Sequence, residues 1–152
     1  MGRTFRLVDE DSHQEAIFNW CAYQLGRYPE LELLHHVPNG GKRDAAMARA
    51  LKRRGVKAGV PDLVLPVARG GYHGLYIELK DVKNKPTEAQ KWWLGKLEEQ
   101  GYYTTVCYGW QEAVTVLCGY LDGKLKRKDD LQDAVAKMAA TAADAGLFMP
   151  AT

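Results

Sequence analysis

The sequence predicts a single mixed α/β domain with helices packed on a central sheet, on three observations. Helix start and stop signals bracket four segments. Short β-rich or alternating runs lie between them, giving the order α–β–α–β–β–α–β–α. Clusters of Gly, Pro and Asn mark the joints, as at Pro38-Asn39-Gly40-Gly41 and Arg69-Gly70-Gly71.

In order, Asp11-Ser12 followed by Gln14-Glu15 starts a helix that should run to about Leu25, before Gly26 and Pro29. Leu31–Val37 reads as a strand ending at the Pro38–Gly41 turn. Asp44–Arg54 is a run of good helix formers closed by Gly55. Leu63–Val67 and Tyr72–Lys80 form a hairpin through Arg69-Gly70-Gly71. Thr87–Gln100 is a helix ended by Gly101, Tyr102–Tyr108 a strand, and Gln111–Leu121 a last core helix. The domain is thus expected over 1–121. Residues 122–152 form a charged, Ala-rich appendage, with Leu131, Val135 and Met138 as a thin helical stripe.

The 152 residues suffice for one domain, which buries roughly 68–70% of its unfolded surface without needing a disulfide or metal. No apolar run approaches the ~20 residues of a membrane helix, and Met1–Asp11 lacks the apolar stretch of a signal peptide. Cys21, Cys107 and Cys118 are odd in number and widely spaced, which suits buried thiols of an intracellular, cytoplasmic protein. Lys and Arg number 21 and Asp and Glu 19, a net charge of +2 that conceals strong segregation. Residues 1–32 hold three bases and six acids, whereas Lys42–Lys57 holds seven bases and one acid.

The chemistry-bearing stretch is Val60-Pro61-Asp62, then Tyr76-Ile77-Glu78-Leu79-Lys80. Strand alternation puts Leu75, Ile77 and Leu79 on one face and Tyr76, Glu78 and Lys80 on the other. If the hairpin turn centres on Gly70, paired positions sum to 140, and Asp62 faces Glu78 with Cβ atoms ~4.5–5.5 Å apart. Two facing carboxylates repel unless a cation lies between them. A hard ion such as Mg²⁺ needs only a few carboxylate and carbonyl oxygens besides water.

Pro61-Asp62, a gap of fifteen residues, then Glu78-Leu79-Lys80 resembles the motif of the PD-(D/E)XK nuclease superfamily. With Glu15 in the first helix, Gly59-Val60-Pro61-Asp62-Leu63, and Thr87-Glu88-Ala89-Gln90 opening a later helix, it resembles the VRR-NUC (virus-type replication-repair nuclease) family over roughly Glu15 to Ala113. The resemblance implies a restriction-endonuclease-like core and a homodimeric, metal-dependent endonuclease for branched DNA, including four-way junctions. It implies that Asp62, Glu78, Glu15 and the Leu79 carbonyl hold Mg²⁺ or Mn²⁺, and that Lys80 orients or deprotonates the attacking water. Cleavage needs a hydroxide at neutral pH and charge neutralisation at the phosphate, both of which a bound metal supplies.

Each residue also has a plainer reading. Asp62 after Pro61 could start a turn, Glu78 and Lys80 could form a solvated strand face, and Glu15 could answer the helix dipole. Gln90 completes a capping box with Thr87, with a site or DNA contact possible besides. Lys42, Arg43, Arg49, Lys52, Arg53, Arg54 and Lys57 are candidate phosphate contacts, joined by Lys83 and Lys85 from a second basic run. His35 and His36 read as strand residues. Trp93, with Ala89 and Leu97, reads as a core stripe, while Trp92 lies off it. The chain carries no signature of base-specific readout, so shape-selective or nonspecific DNA binding is expected, with a flap or RNA nuclease of the same fold, or a non-enzymatic nucleic-acid-binding module, as the alternative.

Overall fold

The computed structural model describes residues 9–39 and 43–146. Helix α1, Glu10–Gln24, is capped by Asp9, whose side chain accepts from the Ser12 N–H at 2.9 Å. This cap lies two residues before the expected start. Ile17 and Cys21, four apart, share one helix face and are buried.

The expected strand 31–37 is corrected by the structure. Pro29–Leu33 is a 3₁₀ turn, and only His35–His36 pair as strand β1. The cause is visible in the residues. Pro29 favours a helical first turn, and Leu31 and Leu34, three apart, are both buried, a 3₁₀ spacing rather than an alternation.

Helix α2, Ala45–Arg53, is capped by Asp44, which accepts from the Met47 N–H at 2.7 Å. None of its residues is buried. Strands β2, Leu63–Leu65, and β3, Leu75–Lys80, pair antiparallel with Leu63 opposite Ile77 and Leu65 opposite Leu75. These pairs sum to 140, the expected register. The turn itself is the two-residue Gly70-Gly71, bridged from Arg69 to Tyr72, whose sum is 141. Three residues, 66–68, therefore face two, 73–74. The extra one is taken up at Pro66, where the Val67 N–H reaches back to the Leu65 carbonyl at 2.9 Å. That bend ends β2 at Leu65 rather than Val67 and starts β3 at Leu75 rather than Tyr72.

Helix α3, Glu88–Glu99, returns the chain to β4, Tyr103–Tyr108, which runs parallel to β3. The sheet order is β1-β2-β3-β4, a mixed sheet flanked by helices. Helix α4, Trp110–Leu121, packs on α1 and the two lie over β3. Leu75, Ile77 and Leu79 join Ile17, Leu117 and Tyr120 in one core, where each fully buried Leu or Ile is worth ~1.5–3 kcal/mol. Tyr76, on the opposite strand face, meets Tyr102 edge-on instead.

Cys21 and Cys107 are buried and unbridged. Burial pushes their thiols up to about 11 and about 12, which leaves them inert packing groups. Beyond α4, Leu125 packs on the core and the Arg127 N–H donates to the Gly70 carbonyl at 3.0 Å. Helix α5, Lys128–Asp144, follows, with Val135 and Met138 exposed. Among the described residues no helix is long and apolar enough to cross a membrane.

Candidate active site

The site is built where β2 and β3 part. Continuing their register one step past Leu63–Ile77 sets Asp62 opposite Glu78. The Asp62 side chain then replaces the next ladder rung: its Oδ2 accepts the Leu79 N–H at 2.8 Å. Position 61, opposite Leu79, is proline, which has no N–H to give. The ladder therefore stops there and offers the Leu79 carbonyl no donor.

Glu78 is 1% exposed, and neither of its carboxylate oxygens accepts a hydrogen bond among the described residues. Lys80 Nζ lies 3.2 Å from its Oε1, a buried ion pair between neighbours on one strand face. Burial, and next the adjacent Asp62 charge, push the Glu78 carboxyl from 4.5 up to about 7, against the pull of Lys80. Burial likewise raises Asp62, against the Leu79 N–H and Lys80. Lys80 is 8% exposed, and burial alone would lower it. Glu78, Glu10 and Asp62 outweigh that and raise it, so the amine is held charged.

The carboxylate that α1 brings to this cluster is Glu10, whose Oε1 is 3.6 Å from Lys80 Nζ. Glu15, expected in that place, is exposed and makes no ion pair or hydrogen bond to the site among the described residues. Helix geometry explains the correction. Glu10 precedes the buried Ile17 by seven residues and shares its face, whereas Glu15 is five residues from Glu10 and points about 140° away. That seven-residue spacing was the readable signal.

Gly59 makes the approach to Asp62 possible. Its φ is +90°, and a Cβ there would stand 2.6 Å from the Ala89 carbonyl carbon. The start of α3 thus lies against the loop, and the Trp93 indole N–H donates to the Ala58 carbonyl at 3.1 Å. Trp93 is consequently half-buried over this loop rather than in the core, and Trp92 is 57% exposed. Gln90 forms the capping box: its Oε1 accepts the Thr87 N–H at 2.8 Å while the Thr87 hydroxyl accepts the Gln90 N–H. On β1, the His36 Nδ1–H donates to the Asp62 carbonyl at 2.9 Å and ties β1 to the residue that carries the carboxylate.

Arg43, Arg49, Lys52, Arg53, Arg54 and Lys57 are all exposed on or beside α2, and Lys83 and Lys85 are exposed just after β3. Lys42 lies outside the described residues.

The VRR-NUC domain profile matches residues 8–111, well over half the chain. The chain belongs to the VRR-NUC family. A solved structure of a VRR_NUC domain protein superposes with a TM-score of 0.67 at 36% identity, covering 77% of this chain and 91% of that one. Among curated proteins none matches. A VRR-NUC domain is a nuclease domain of the PD-(D/E)XK type, and Asp62, Glu78 and Lys80 stand where that motif reads in this chain.

The donor set was tested against a divalent ion. No group of three or more His, Cys, Asp or Glu side chains converges among the described residues. Two carboxylates do, one of them, Glu78, buried and paired only with the Lys80 amine, beside a carbonyl the ladder leaves over. Mg²⁺ is commonly held by one or two carboxylates together with water and substrate phosphate, so this set fits it.

Proposed function

We propose that this VRR-NUC protein is a Mg²⁺- or Mn²⁺-dependent endonuclease hydrolysing phosphodiesters in branched DNA, such as four-way junctions, and working as a homodimer. The observation that carries the reading is the buried, hydrogen-bond-free Glu78 carboxylate facing Asp62 with Lys80 at 3.2 Å. Orphaned buried carboxylate oxygens are costly, and a divalent cation between Asp62 and Glu78 is the simplest group that would satisfy them. When bound, such an ion supplies charge neutralisation at the phosphate and a water of lowered pKa.

The chain's own residues do the rest. Asp62 and Glu78, with the Leu79 carbonyl, would hold the ion. Lys80, kept protonated by three acids, places a positive charge where the phosphate gains negative charge. Glu10 restrains the Lys80 amine. Gln90 fixes the first turn of α3 against the loop that carries Asp62. Arg49, Arg53, Arg54, Lys83 and Lys85 supply phosphate contacts. One compact site cuts one strand, so symmetric junction cleavage calls for two copies.

The test is cleavage of labelled four-way junction, flap, duplex and RNA substrates with Mg²⁺ or Mn²⁺ and with chelator. Metal-dependent cutting, strongest on the junction and lost in Glu78→Ala and Lys80→Ala, is expected. Equal cutting by those variants would overturn the site, and a preference for flap or RNA would overturn the substrate.

A further inference from the structure

Helix α2 is strongly two-sided, yet its apolar side is not packed away. Ala48 and Leu51 line an open cleft of about 600 Å³ between α2 and the segment that leads to Asp62. Val56 and Ala58 add to its apolar lining, and Arg43, Lys52 and Lys57 line it as well. Among the described residues, none that lines it is acidic. The one acid nearby in sequence, Asp44, is engaged as the α2 cap.

The cleft is tied to the active site by two walls. Ala58, which lines it, also accepts the Trp93 indole N–H from the far side. Asn39, at its edge, donates to the Val60 carbonyl at 3.4 Å, two residues before Asp62. The cleft is thus lined by the segment, residues 55–58, that leads within four residues to Asp62.

An apolar slot with cations and no acids suits a flat, weakly polar group carried on a polyanion. Its volume is within the 300–1,000 Å³ of small-ligand sites. A paired base cannot enter, because its faces are occupied in the stack. We propose that the cleft receives one unpaired nucleotide of the DNA substrate. The base lies between Ala48, Leu51 and Val56, and the flanking phosphates lie on Arg43, Lys52 and Lys57. This rests on the nuclease reading above and deepens it. Flaps and gapped branches carry unpaired nucleotides, and at a four-way junction stacking is interrupted at the exchange point, so a base there is extruded more cheaply than from a continuous duplex. Unstacking costs least for a base already unpaired, which makes such a slot a source of structural selectivity.

The experiment measures binding of the full chain, in chelator, to three otherwise identical duplexes. One is fully paired, one carries an extrahelical 2-aminopurine nucleotide, and one carries an extrahelical abasic nucleotide. The expected result is binding at least ~5-fold tighter to the 2-aminopurine duplex than to the paired one, the low end for stacking of one base. The abasic duplex should lose that gain, and Ala48→Phe, an exposed helix position whose folding is checked by thermal melting, should bring the ratio to one. Equal affinity for the base-bearing and abasic duplexes, or an unchanged ratio in Ala48→Phe, would overturn the proposal. Metal-dependent cutting of the same duplexes reads the nuclease assignment separately. Cutting without the preference sinks the cleft alone, and failure to bind any DNA sinks both.

Discussion

The Asp62 carboxylate accepts the backbone N–H of Leu79 at 2.8 Å, so one side chain serves both the β2–β3 ladder and the site. Removing the carboxylate and removing the acceptor are therefore separable. Asp62→Asn keeps an oxygen for Leu79 and should abolish metal-dependent cleavage at near wild-type stability. Asp62→Ala orphans a buried N–H and should cost a further ~1–3 kcal/mol. Denaturant unfolding of both variants checks this; equal stability of the two would refute the rung.

Glu10 and Glu15 give a clean contrast on one helix. Glu10→Gln weakens the restraint on Lys80 and should lower the cleavage rate by roughly 10–100-fold, the usual loss on removing a supporting partner at a metal site. Glu15→Gln should leave the rate unchanged. Rates at saturating Mn²⁺ decide, and the reverse ranking would restore Glu15.

Glu78 carries a pH dependence whose sign is fixed by its raised carboxyl. Its neutral form is the comfortable one, so its contribution is fully present below 4.5 and lost as pH rises through about 7. At ~1.4 kcal/mol per unit, the deficit above pH 7 is on the order of 3 kcal/mol. Glu78→Gln should accordingly be more stable than wild type at pH 8, and the two should converge towards pH 4. Wild type, but not the variant, should gain melting temperature from Mn²⁺ at pH 8. A wild type already the more stable at pH 8 in chelator would contradict the burial argument.

Gly59→Ala tests the closeness of α3 to the loop. The new Cβ meets Ala89 backbone that cannot swing aside, and the positive φ adds strain of about 1–3 kcal/mol. A lower melting temperature together with slower cleavage is expected, because the displaced loop is the one bearing Asp62. A variant that melts with wild type would show the contact to be slack.

Much of this was legible from residues alone, and the misreadings have physical causes. The hairpin register could be read because β3 alternates cleanly and the Arg69–Gly71 turn lies midway. The turn was nonetheless misplaced by half a residue, since the compensating bend at Pro66 depends on a local hydrogen bond. The Leu31–Val37 run has strand composition, but burial at three-residue spacing and Pro29 made it helical. Trp93 was placed in the core because periodicity marks an apolar face without saying what that face covers. The resemblance implies a first-helix glutamate, and the sequence offers both Glu10 and Glu15; only the packing of the Ile17 face decides that Glu10 is the one beside Lys80.

The same looseness that leaves α2 open has a consequence under protease. It buries none of its residues, and Arg49, Lys52, Arg53 and Arg54 crowd its last turns and cap, so local opening there is inexpensive. Trypsin should make its first cuts in this helix, long before the α1–α4 core yields. Bound DNA should shield the same bonds, turning this unburied helix into a footprint of its substrate.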